Sequence, residues 1–164
     1  MGLNAKSASW TLRSVPERQA TTRAEAKERD AAGQAPRKYR ASIARAPIVD
    51  PARLQETAGN PESWKFEDFV RTFLFMLPYR LEKVHQALTA GKWEEGRLAA
   101  QSLSWSAAMA GACRLELIAG LIDTDLGSGR NTRARETARL LGVTATELEA
   151  ALTLLNAGPP DPLP

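Results

Sequence analysis

The sequence predicts an all-α protein: an antiparallel four-helix bundle with a short extra helix before it and a disordered N-terminal tail. Three observations predict this. Large apolar residues recur at spacings of three and four, most clearly from Phe66 to Leu88, and no stretch alternates with the period of two that strands require. Gly and Pro fall where helix-length segments should end, at Gly59-Asn60-Pro61, Gly91, Gly111, Gly127-Ser128-Gly129 and Gly158-Pro159-Pro160. Hydrophobic residues make up 43% of the 164-residue chain, enough for the core of a bundle of about 100–120 residues.

Each element has its own signal. Residues 1–46 hold few large apolar side chains (Trp10, Leu12, Val15 and Ile43 among them), too few for a core, and read as a disordered basic tail. Order begins near Ile48-Val49-Asp50-Pro51, where Asp50 is placed to cap a short helix with Pro51 in its first turn, running to about Ala58. The second helix buries Phe66, Phe69, Val70, Phe73, Leu74, Leu77, Leu81, Val84 and Leu88, and a kink is expected at Pro78. A third helix runs from after Lys92 to near Gly111, and a fourth from about Arg114 to Leu126 with Leu115, Leu117, Ile118, Leu121 and Ile122 packing inward. A fifth spans about Asn131 to Leu141. Gly142 is expected to interrupt it, with Thr144 and Glu147 as a capping box for a last segment to Asn156. The division is therefore a tail at 1–46, a helical bundle at 47–157 and a flexible tail at 158–164.

Composition excludes several function classes. The net charge is +3, but residues 1–46 hold ten Lys/Arg against four Asp/Glu and residues 47–164 twelve against fifteen. The basic character belongs to the tail, whose plainest reading is a solvated extension. No apolar run is long enough for a membrane span, and the N-terminus lacks the apolar stretch of a secretory signal. One cysteine, Cys113, forms no intramolecular disulfide, and one histidine, His85, leaves no metal cluster and no catalytic pair. The expectation is a cytoplasmic protein that is no enzyme and holds neither cofactor nor metal. His85 reads as an ordinary boundary residue and Cys113 as a small residue at a helix junction.

The third helix carries the functional signal. With about 100° per residue, Glu94, Arg97, Gln101, Ser104, Trp105 and Ala108 fall within about 60° of one another. Gly96, Ala99, Leu103, Ser106, Ala107 and Ala110 form an opposite face of small residues suited to close packing. Gln101 and Trp105 then point outward. Phe75 and Tyr79 leave the core stripe of the second helix, and together with Trp105 they make a candidate apolar patch for a partner.

The stretch Ala100-Gln101-Ser102-Leu103-Ser104-Trp105, continuing to Gly111-Ala112, resembles the signature helix of histidine-containing phosphotransfer (HPt) domains, roughly A-H-S-L-K-G-S-x-x-x-x-G-A. Ile48-Val49-Asp50-Pro51, the long helix around Leu77-Pro78-Tyr79-Arg80-Leu81, Gly91-Lys92-Trp93-Glu94-Glu95 and the exit at Gly111-Ala112 to Leu115 are similar to that family in order, over residues 48–156. The resemblance implies an antiparallel four-helix bundle with a short extra helix. In the family a solvent-facing histidine shuttles phosphate to and from receiver aspartates, a lysine supports the phosphate charge, and a glycine admits the receiver. Those positions are Gln101, Ser104 and Trp105 here. An amide has no basic, nucleophilic nitrogen to hold a phosphoryl group. The resemblance thus implies a non-catalytic pseudo-HPt protein that binds a receiver domain or a histidine kinase through Glu94, Arg97, Gln101, Ser104, Trp105 and Ala108. Gln101 is either a steric stand-in for the unphosphorylated histidine or a drifted surface residue.

A rival reading is a DNA-binding regulator. Residues 137–152 resemble a helix-turn-helix, with Ala138, Gly142 and Leu148 at its packing spacing, and the basic tail fits such a role. The segment that would enter the groove, Thr144 to Asn156, holds Glu147 and Glu149 and no Lys or Arg, so nucleic acid is the weaker expectation.

Overall fold

Capping explains where the first two helices start. In the computed structural model, which describes residues 39–157, helix α1 spans Pro51–Ala58. Asp50 Oδ1 accepts from the backbone N–H of Ala52 at 3.0 Å and of Arg53 at 3.4 Å, satisfying donors that the first turn leaves open. Helix α2, Trp64–Thr89, starts at Ser63, whose hydroxyl accepts from Phe66 N–H at 3.3 Å. It is continuous through Pro78, which lies on the exposed side. Its core stripe is Phe66, Val70, Phe73, Leu77, Val84, Ala87 and Leu88.

Helix α3, Trp93–Met109, buries Leu103 among small residues, Gly96, Ala100 and Ala107, followed by Ala110. Packing is tight at Gly96, where an added Cβ would lie 3.4 Å from both Leu88 Cδ2 and Leu126 Cδ1. Ala100, not Ala99, lies at the centre of this face. Ala99 and Ser106 sit at its edge toward α2 and stay partly exposed. Helix α4, Cys113–Gly127, packs along α3 with Leu115, Ile118, Ala119, Ile122 and Leu126 buried. The turn between them needs a glycine. Gly111 has φ +63, and a Cβ there would meet Asp50 O at 2.4 Å, while its own carbonyl accepts from Asp50 N–H at 2.7 Å. The segment leading into α1 is thereby fixed to the α3–α4 turn.

Helices α5, Asn131–Ala138, and α6, Leu140–Ala157, complete the described part. The break falls at Arg139 and not at Gly142, which lies inside α6. Leu141, Thr144, Leu148 and Leu152 form a buried stripe at helical spacing, and its packing outweighs the roughly 1 kcal/mol that a mid-helix glycine costs. The expected capping box is absent for the same reason. Thr144 is buried in that stripe, and Glu147 pairs with Arg114 at 2.7 Å.

The architecture is all-helical, with six helices from Pro51 to Ala157 and no strand among the described residues. No helix among them is long and apolar enough to cross a membrane. Ile43, which the sequence reading leaves in the tail, is buried with the core, and residues 41–45 are helical. The readings for residues 1–38 and 158–164 lie outside the described residues.

Candidate functional site

Helices α2 and α3 form an antiparallel pair joined at Ala90-Gly91-Lys92. Phe69, Met76 and Met109 meet at one end, and Ala90, Lys92 and Glu95 at the other. The expected partner face lies on α3, and the structure divides it in two.

The side toward α4 is tied down. Arg97 pairs with Glu94 at 3.4 Å and lies 3.9 Å from Asp123 of α4. Ser104 is half-buried and donates to the Glu116 carbonyl at 3.3 Å. Ala108 is half-buried. The Glu116 side chain accepts from Arg53 at 2.8 Å, and this hydrogen bond, with a lesser one from Arg53 to Cys113, raises the Arg53 pKa above its ordinary value.

The outer side and the side toward α2 are open. Gln101 is exposed, and its side chain makes no hydrogen bond among the described residues. Trp105 is 73% exposed. Leu98 and Met109 lie on the same line, seven residues before and four after it, and each is more than half exposed. Phe75 is 80% exposed on α2, with Tyr79 one turn on and Lys83 Nζ 4.9 Å above the Tyr79 ring. The sequence reading passed over Leu98 and Met109. Leu98 lies about 60° from Gln101 on the helical wheel, at the edge of the sector centred on the acceptor position and within the apolar line.

Between α2 and α3 runs an open groove of about 540 Å³ lined by Arg80, Lys83, Lys92, Glu95, Leu98 and Ser102, among others. A smaller one of about 160 Å³ lies beyond Arg80, toward Phe69 and Met109. Arg80 spans the boundary and donates to the Ser106 hydroxyl. Lys92 Nζ is held by Glu95 at 3.0 and 3.2 Å.

Gln101 is no phosphoryl acceptor, and His85 is half-buried on α2. No group of three or more His, Cys, Asp or Glu side chains among the described residues is placed to hold a metal ion. Within residues 137–152 the helix break falls at Arg139, and Leu141-Gly142-Val143 are helical. Comparison with known proteins found no matching family model, no matching curated protein and no matching solved structure.

Proposed function

We propose that this chain is a degenerate HPt-type protein that binds a receiver domain or a histidine kinase without accepting phosphate. In this reading α2, α3, α4 and α6 are the four helices of the antiparallel bundle and α1 is its short extra helix. The protein works in the cytoplasm as competitor or scaffold: a partner is occupied and no phosphoryl group passes. The observation that carries the reading is the position of Gln101. It stands exposed at mid-length on a helix whose opposite side is buried, in the sequence frame where the family carries its solvent-facing histidine.

Trp105, one turn on, stands where the family has a glycine. Its large exposed surface suits an apolar partner contact that takes the place of close backbone approach. Ser104 does not replace the missing lysine, because its hydroxyl is spent on the Glu116 carbonyl. The test is calorimetric titration of the full chain with receiver domains of the same organism, with and without their aspartyl phosphate, alongside a label-transfer assay. The reading expects micromolar or tighter binding to one receiver and no label on this chain. Absence of binding to every receiver and kinase, or label appearing on the chain, would overturn it.

A further inference from the structure

Arg80 is a half-buried cation that meets no carboxylate among the described residues. Its only hydrogen bond goes to the neutral Ser106 hydroxyl, and its Nε is buried without an acceptor. Neither Arg80 nor Lys83 forms an ion pair there. Glu82, the nearest carboxylate on α2 in sequence, is taken up by the Gln86 amide at 2.8 Å, and Glu95 by Lys92. A partly buried guanidinium without a counter-charge is unfavourable unless something else supplies one.

We propose that the α2–α3 groove binds an acidic segment of a partner protein, its carboxylates meeting Arg80 and Lys83 and its apolar side chains resting on Leu98 and the alanine floor. The site goes beyond the receiver reading and stands without it. The floor is Ala87, Ala90 and Ala99, so the occupant has an apolar side as well as charge. From Arg80 to Ala90 the groove follows ten residues of α2, about 15 Å, which about five residues of extended chain would span. An open trough of this length suits a polypeptide better than an enclosed small molecule. Charge argues against this chain's own ends as occupant. Residues 1–46 carry a net +6, and residues 158–164 hold one acidic residue, Asp161.

The test uses the full chain and a fluorescein-labelled peptide of roughly eight residues built from leucine and glutamate, with a glutamine-for-glutamate counterpart, read by anisotropy. Saturable binding of the glutamate peptide is expected, about tenfold or more tighter than its counterpart and weakened by salt. Arg80→Gln and Lys83→Gln should each lower affinity by about tenfold, while Arg71→Gln, which removes a cation already paired with Asp68, should not. Lys83 is exposed, so its variant stays informative if Arg80→Gln misfolds, which circular dichroism would reveal. Equal affinity for the two peptides would overturn the proposal. So would wild-type affinity in both variants, which would place the attraction in the basic N-terminal residues. Complete displacement by millimolar inorganic phosphate would make this a small-anion site. Self-association that excludes the peptide would make the occupant a second copy. Peptide binding without receiver binding, or the reverse, tells the two proposals apart.

Discussion

Two regions of this molecule hold arginines in opposite ways. At the α4–α5 corner Asp125 is 2% exposed and meets two cations, Arg130 Nε at 2.9 Å and Arg133 Nε at 3.3 Å. The Asp125 carbonyl also accepts from Arg130 N–H at 2.8 Å. In the α2–α3 groove Arg80 and Lys83 meet no carboxylate of the described residues. The first arrangement fixes where α5 leaves α4, and removing one partner strands a buried charge. The second leaves positive charge open beside an exposed apolar line. The difference separates cations that hold the fold from cations free for a partner, a distinction that residue type alone does not carry.

The largest effect is expected at the corner. Asp125→Ala leaves Arg133, 16% exposed at its side chain, without its carboxylate, and should cost about 3 kcal/mol in chemical denaturation. A loss near zero would mean that the corner is as unconstrained as the groove. Arg114 is a third tied-down cation. Its guanidinium donates to Ala46 O at 3.0 and 3.1 Å and to Glu147 at 2.7 Å, so Arg114→Ala should cost about 1.5 kcal/mol. Arg80→Met should leave stability unchanged or raise it by up to about 1 kcal/mol, because it removes an unpaired half-buried charge and keeps the apolar stem. A loss as large as that of Asp125→Ala would erase the contrast. Trp105→Ala should change stability by less than about 0.5 kcal/mol while weakening partner binding at least tenfold, roughly 1.4 kcal/mol. Unchanged partner affinity would remove Trp105 from the docking face.

Much of the fold is legible in the sequence because it depends on local pattern. The α2 stripe, the Asp50 cap and the glycine turns at Gly59, Gly91 and Gly111 follow from spacing and backbone chemistry. Gly142 misleads for a physical reason: the Leu141-Thr144-Leu148-Leu152 stripe packs strongly enough to carry the helix through it. Ile43 misleads because a single apolar residue in a polar stretch gives no period, and only its neighbours in space bury it. The docking residues divide along the same line. Gln101 and Trp105 are found by register, whereas the unpaired state of Arg80 depends on which residues of α3 lie opposite and cannot be read from α2. Arg97 and Ser104 share a wheel sector with Gln101, yet α4 claims both.

The measurement that tests the open-face account most directly is backbone-amide shift mapping of the full chain by NMR, titrated with the receiver domain or kinase that binds it. The account predicts the largest changes at Phe75, Tyr79, Leu98, Gln101, Ser102, Trp105 and Met109, with little change along α4 at Glu116 and Asp123. Changes centred on α4, or on α6 around Val143 and Glu147, would contradict it.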